Sequence, residues 1–421
     1  MLVMALMTFV GLAHAADLGR WEGRTPMGVP RQEIGVGVIG SSLYAIAGID
    51  EQAATPVVER WDAATDTWTR RAPLPIALHH VGVAVVDGVL YAIGGLDGVF
   101  EGVDDVFAYD PDADTWTPRA PLPLRRGAMG VAVVDGRIYA AGGLRSGISV
   151  DDFAVYDPAA DVWTSLPPMP TARDHLAADA IDGLVYAVGG RDAGDLRGAL
   201  ERFDPTTGQW TSLAPLPTPR GGLMGGALAG RLYTFGGEGN PGHPSGVFSQ
   251  TEAYDPARDA WITLEPMAVP RHGTAAGVIG GAIHVPGGAI RQGFGVSGAH
   301  DAFVPPAADP LRVRRLRIGR GGRLRLRALV PDLPVATPDL PVSIAITSDG
   351  GTVLALEVPA GALRATRRGF VHRTAQKESL RLVRRPNGTS LRIRAVATTK
   401  AIGPVTVHVA LGGVEFRGAV P

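Results

Sequence analysis

The chain of 421 residues contains no cysteine. That excludes disulfides, a thiol nucleophile, thiolate metal sites, haem attachment through cysteine and a lipid anchor on cysteine. Long apolar runs are also missing. Met1 to Leu12 is almost wholly apolar, but it is too short to cross a membrane as a helix. There is no P-loop, no H-E-x-x-H run and no dinucleotide fingerprint in a strand-helix setting. Nucleotide-dependent, zinc-protease and nicotinamide chemistries therefore have no local signature here. What the chain has instead is 57 glycines and 34 prolines, the punctuation of many short strands joined by turns.

That punctuation is periodic. Trp21, Trp68, Trp116, Trp163, Trp210 and Trp261 are spaced by 47, 48, 47, 47 and 51 residues, and each meets a proline five positions on, at Pro26, Pro73, Pro121, Pro168, Pro215 and Pro266. Glycine pairs at 94–95, 142–143, 189–190, 236–237 and 287–288 keep step, with Ala47-Gly48 as the degenerate copy. Between them lie β-rich runs such as Val81 to Val86 and Leu90 to Ile93, separated by the hairpin dipeptide Asp87-Gly88; Asp135-Gly136 and Asp182-Gly183 repeat that turn. An aromatic-Asp pair then closes the third strand, as at Tyr109-Asp110 and Tyr156-Asp157. Each unit is a four-stranded antiparallel meander, and such sheets bury both faces by stacking radially.

The diglycine, followed by a Tyr and then a Trp within a repeat of about 50 residues, resembles the kelch family. The resemblance covers roughly residues 17 to 305 and implies an all-β fold with a six-bladed propeller. Trp21 has no glycine pair before it, and Gly287-Gly288 has no Trp after it. The segment Leu18 to Glu22 is therefore expected to supply the outer strand of the last blade.

At the N-terminus, Ala13-His14-Ala15 ends the apolar run as an A-x-A cleavage pattern, though without a preceding Lys or Arg. The expectation is a signal peptide over residues 1–15, a propeller over 16–306 and an exported protein, secreted or periplasmic, of bacterial type. Past Pro305-Pro306 the composition changes. Residues 308–421 carry 18 Arg and 2 Lys against 7 Asp or Glu, arranged in alternating strands that read as an Arg-rich, immunoglobulin-like β-sandwich over 307–421. It is weakly similar to accessory modules of secreted proteobacterial proteins. Arg is the soluble face of such strands or a contact for a polyanion; no motif for specific nucleic-acid binding accompanies it.

Function on a propeller is expected where equivalent loops converge. Aligned first strands place Arg31, Leu78, Arg126, Arg173, Arg220 and Arg271 at one position. Two residues on come Glu33, His80, Ala128, His175, Gly222 and Gly273. By the kelch resemblance these positions lie near the ligand-binding face. The five arginines, with His80 and His175, are the candidate ligand contacts, suited to a protein or an acidic carbohydrate; the competing role for the arginines is to bond one blade to the next. The reading is a non-enzymatic binding module with no catalytic residue, cofactor or metal assigned. The alternative is a periplasmic sugar-modifying enzyme resembling a sialic-acid epimerase, with Glu33 or Glu238 and His80 or His175 as a proton-transfer pair. Galactose-oxidase-like copper chemistry is excluded by the missing cysteine. His79 and His80, adjacent on a strand, are expected to point to opposite faces, and the other histidines to be isolated. The lengthened loops 238–250 and 293–300 are further candidates to line the mouth.

Overall fold

The computed structural model describes residues 18–306 and, beyond them, strands between Arg312 and Val420. The chain divides into two units, the first drawn mainly from residues up to Pro306 and the second mainly from Ala307 onward. The expected leader over 1–15 lies outside the described residues. Among the described residues no helix is long and apolar enough to cross a membrane.

The first unit contains six four-stranded antiparallel sheets. Blade 1 runs through Gly35–Ile39, Ser42–Ile46, Val58–Asp62 and Thr67–Arg71. Blades 2 to 5 repeat this meander, the second over Gly82–Arg119 and the fifth over Met224–Thr263. Blade 6 takes Gly277–Ile279, Ala282–Pro286 and His300–Val304, and its outer strand is Arg20–Arg24 from the start of the chain. Trp21 pairs with Phe303 and Arg20 with Val304, so the ring closes as the Trp register predicts.

Neighbouring sheets share apolar faces. Tyr44, Ile46 and Val58 of blade 1 form one buried cluster with Leu90, Ala92, Phe107 and Tyr109 of blade 2. A fully buried side chain such as Leu90 contributes about 1.5–3 kcal/mol. Every Trp of the series also has an indole N–H to satisfy, and each gives it to a carbonyl of the preceding blade. Trp68 donates to Thr25 O at 2.8 Å, Trp116 to Ala72 O at 2.9 Å and Trp163 to Ala120 O at 3.0 Å. Trp21 closes the series by donating to Glu265 O at 3.0 Å.

The glycine pair has a steric cause. The second glycine of each pair donates its N–H to the carbonyl at the arginine position of the next blade: Gly95 to Arg126 at 3.0 Å, Gly143 to Arg173 at 3.0 Å and Gly288 to Arg31 at 2.8 Å. That approach leaves no room beside it. A Cβ on Gly142 would sit 2.6 Å from Arg173 O, at a φ of +63° that L-residues avoid.

The second unit holds two antiparallel sheets, one of six strands and one of four. In the larger, Arg323–Val330 pairs with Gly388–Val396, which pairs with Ser379–Arg385. In the smaller, Val342–Ser348 lies between Gly351–Val358 and Val405–Leu411. This is a β-domain following the propeller.

Candidate functional site

The six residues two positions after the arginine position meet at the propeller axis. His80 N–H donates to Glu33 O at 2.9 Å, Ala128 to His80 at 3.0 Å, His175 to Ala128 at 2.9 Å and Gly222 to His175 at 2.9 Å. Gly273 donates to Gly222 at 3.1 Å, and Glu33 to Gly273 at 2.5 Å. The result is a closed ring of six main-chain hydrogen bonds, one from each blade. All six residues have positive φ, between 52° and 64°. Non-glycine residues rarely adopt this conformation, and it collects at functional sites.

Three of the six carry functional side chains, and these converge. His80 Nε2 lies 2.9 Å from Glu33 Oε2 and 2.9 Å from His175 Nε2. The single atoms that Glu33, His80 and His175 offer all fall within 4.8 Å of one another. Gly222 and Gly273 leave the other side of the ring open, and a Cβ on Gly273 would strike the Glu33 carboxylate. The expectation that His79 and His80 point apart is corrected here. The left-handed turn at His80 (φ 56°) breaks strand alternation, and the two Nδ1 atoms meet. Nor are His175, His272, His284 and His300 isolated: His175 meets His80, His284 Nδ1 lies 3.1 Å from His300 Nε2, and His272 Nδ1 stands 3.7 Å from Glu33 and its Nε2 3.6 Å from Glu238.

A second layer holds the first. Asp174 takes the Nδ1 side of His175 and accepts a hydrogen bond from Ser149 Oγ at 2.5 Å. Arg191 Nη1 donates to Glu238 Oε1 at 2.5 Å, its Nε to Asp174 Oδ1 at 3.3 Å, and its Nη2 lies 3.0 Å from His175 Nε2. His79 Nε2 lies 2.9 Å from Asp97 O. Burial works to raise the Glu33 carboxyl, but the charge and hydrogen bond of His80, aided by His272 and His175, hold it below the usual carboxylate range. Burial likewise opposes ionisation of Asp174, and the His175 hydrogen bond overcomes it. Burial lowers both His175 and His79, the latter to about 4.

These second-layer residues follow a repeat rule that the sequence reading missed. The residue between the arginine and ring positions is Gln32, His79, Gly127, Asp174, Gly221 or His272. Each bridges the residue just after the glycine pair, which is Ile49, Leu96, Leu144, Arg191, Glu238 or Ala289 respectively. Four of those six are apolar. The departures at Arg191 and Glu238, in adjacent blades, are the signal that marks this sector.

Above it lies a cavity of about 320 Å³ lined by Ser149, Asp174, Arg191, Glu238 and Gln292, among others. Both lengthened loops reach it. Glu238 Oε2 accepts from Gly293 N at 3.0 Å, and Gln292 N donates to Ser245 O at 2.7 Å. Asn240 turns inward to Val247 O at 3.0 Å, Phe248 is buried, and His243 is exposed with only Ser245 beside it. Apolar side chains stand exposed on the loops of the same face: Phe100, whose ring centroid is 4.6 Å from that of His79, together with Ile148 and Phe294.

The five arginines occupy a different place. Arg31, Arg126, Arg173, Arg220 and Arg271 are each 0–1% exposed. Arg31 donates to Glu59 at 3.1 Å, Arg173 to Glu201 at 2.5 Å and Arg271 to Asp301 at 2.6 Å; Arg220 pairs with Glu252. Arg126 has no such carboxylate and bonds instead to the carbonyls of Gly142, Leu124 and Ala140. These guanidiniums knit the strands of their own blade, whereas the backbone carbonyl of the same residue serves the neighbouring blade. Of the expected site, His80 and His175 meet at the axis and the arginines brace the sheets around it.

A kelch-motif model matches residues 30–75, 77–123, 125–170 and 172–217. The chain is 38% identical over 72 residues to a kelch-like protein, terF, of Aspergillus terreus; the match takes in 17% of this chain and 16% of that protein's length. The solved structure of YjhT superposes with a TM-score of 0.58 at 18% identity, over 66% of this chain and 96% of that one. With the ring closure and the recurring glycine and Trp contacts, residues 18–306 are a six-bladed β-propeller, four of whose repeats match the kelch motif.

Proposed function

We propose that the propeller is a recognition module that takes a protein segment or a carbohydrate, favouring an acidic or hydroxyl-rich group, at the axial mouth above His80 and His175. The observation that carries this is the union of a polar cavity of about 320 Å³ lined by Asp174, Arg191 and Glu238 with exposed Phe294, bonded to the lining residue Gln292, and exposed Phe100 against His79 and His80. Arg191, 30% exposed at its side chain, offers a guanidinium to a carboxylate or sugar hydroxyl, and the rings offer a face for stacking. Polar side chains outnumber apolar ones in the lining, which sets the cavity apart from the mostly apolar small-ligand site and suits a hydroxyl-rich or charged group. The five buried arginines support the socket from behind. Export, and contact of the basic C-terminal segment with a polyanion, belong to the same proposal.

The test is binding of the purified protein to a glycan and peptide panel, repeated with Phe100→Ala, Arg191→Ala and Arg173→Ala. Loss with the first two at unchanged thermal unfolding supports the mouth. Binding indifferent to both would overturn it, and loss confined to Arg173→Ala without a fall in stability would move the ligand to the arginines.

A second reading rests on one feature. Asp174 orients His175 through Nδ1, the arrangement that readies an imidazole for proton transfer. A sugar-modifying enzyme would use it with Glu33 or Glu238 as partner. Exchange of epimers or anomers of acidic sugars, followed by NMR and abolished by His175→Gln, supports this reading; no exchange above the uncatalysed rate removes it.

A further inference from the structure

We propose that Glu33, His80 and His175 form a binding site for a divalent transition-metal ion at the propeller axis. The argument begins with the partners of each ring nitrogen. His79 Nε2 faces the carbonyl of Asp97, which only accepts, so that nitrogen carries the proton and Nδ1 of a neutral His79 carries a lone pair. His80 Nδ1 meets that lone pair and so takes the donor role. On the other side, His175 Nδ1 meets the Asp174 carboxylate, which again only accepts when ionised. Both neutral imidazoles are thereby fixed in the tautomer with a bare Nε2.

The consequence is a meeting of acceptors. Nε2 of His80 stands 2.9 Å from both Nε2 of His175 and Oε2 of Glu33, all three atoms lie within 4.8 Å of one another, and none of the three brings a proton to those two contacts. Either a cation fills that space or His80 holds an extra proton and becomes an imidazolium. A divalent metal resolves all three lone pairs at once. Ligands about 2.1 Å from a tetrahedral ion stand roughly 3.4 Å apart, so the two 2.9 Å contacts of His80 need to open by about half an ångström while His175 and Glu33 settle to that spacing.

The outer layer is also that of a metal centre. Ligating histidines donate their distal N–H to a carboxylate or carbonyl, directly or through another group. His175 does so to Asp174, and His80 does so to His79, which is itself tied to Asp97 O. Two imidazoles and one carboxylate suit Zn²⁺, Co²⁺, Ni²⁺ or Fe²⁺ and leave positions for water or ligand. Arg191 Nη2 now covers the His175 lone pair at 3.0 Å. It retains Glu238 and Asp174 as partners when that contact is released, so the metal displaces one of three bonds.

The proposal stands apart from the ligand panel, because the metal alone is the probe. Titration of the metal-stripped full chain with Co²⁺ or Zn²⁺, read by Co²⁺ absorption and calorimetry, is expected to show one ion per chain. His80→Gln and His175→Gln should each weaken it at least tenfold, as should Glu33→Gln, while His243→Ala leaves it unchanged. The ring is made of main-chain atoms, so these variants are expected to keep the wild-type unfolding temperature; where one does not, the His80→Ala variant replaces it. Binding that survives the double His80/His175 variant overturns the site. So does no binding at micromolar metal together with an NMR-observed doubly protonated His80.

Discussion

Leu78 and Phe107 occupy, in the second blade, the two positions that an arginine and an acidic residue hold in four of the others. The pair belongs to one buried cluster, and the corresponding residues elsewhere are Arg31 with Glu59, Arg173 with Glu201, Arg220 with Glu252 and Arg271 with Asp301. The same fold thus accepts either a paired charge or a paired hydrocarbon at this place. Burying two charges costs desolvation that their attraction roughly repays, whereas two apolar groups need no repayment.

The first prediction uses that equivalence. Glu201→Ala leaves the Arg173 guanidinium, which is 0% exposed, with the carbonyls of Thr171 and Ala187 but without its counter-charge, and should destabilise the propeller by about 3–5 kcal/mol. The double substitution Arg173→Leu with Glu201→Phe, copying the second blade, should recover most of that loss. Urea unfolding of the three proteins checks it; a double variant no better than Glu201→Ala would show that the blades are not interchangeable here.

Acid should weaken the fold earlier than carboxylate titration explains. His284 and His300 are 3% and 1% exposed and pack against Trp61 with ring centroids 4.8 and 4.7 Å away. Burial lowers His284 from 6.5 to about 4; burial, then the neighbouring His284, lowers His300 to about 3. In an unfolded chain both take up protons near 6.5, so between that pH and about 4 the unfolded state binds more protons and stability falls as pH falls. Each residue is expected to remove about 2 kcal/mol between pH 6.5 and 4.5, and His79 acts in the same direction. The lowered carboxyls of Glu33 and Asp174 act only below that window. Chemical unfolding at pH 7.5, 6 and 5 measures the slope, and His284→Leu/His300→Leu should flatten it. An unchanged slope in the double variant rules the pair out as its source.

Asp174 should govern the axial site through His175, without touching the metal. Asp174→Asn keeps the shape but removes the charge that fixes His175, and should cost about 10–100-fold in metal affinity, as loss of an outer-layer partner commonly does. The same change should leave thermal unfolding within a few degrees of wild type. An affinity equal to wild type would mean that His175 finds its tautomer without Asp174.

Much of this architecture is legible in the sequence because it is built from repeated main-chain constraints. The Trp register gives the blade number and the swap of Trp21 into the last sheet, and the glycine pairs mark where a backbone amide meets the carbonyl of the next blade. The role of the arginines was harder to read, since their partners lie two strands away, near residues 59, 201, 252 and 301. Reading repeats against one another supplies part of that link: Leu78 in place of Arg goes with Phe107 in place of an acid, whereas Arg126, with Ala154 at the partner position, is held by carbonyls instead. The axial cluster was half legible. Its positions align, and two of the six being glycine hints at a positive φ, but the left-handed turn that swings His80 and His175 inward cancels the strand alternation on which the reading of His79 and His80 relied.

The six-membered hydrogen-bonded ring separates what the protein is from what it binds. Amides and carbonyls alone hold it together, so a change of side chain at Glu33, His80, Ala128, His175, Gly222 or Gly273 rewrites the chemistry of the socket while the hoop beneath stays whole. Proline, lacking the N–H, is the one residue that cuts the hoop, and β-branched residues resist its left-handed turn. Within those two bars, and with the Gly273 seat closed to a side chain while Glu33 leans against it, point substitutions at the axis can change the ligand chemistry and leave the hoop intact.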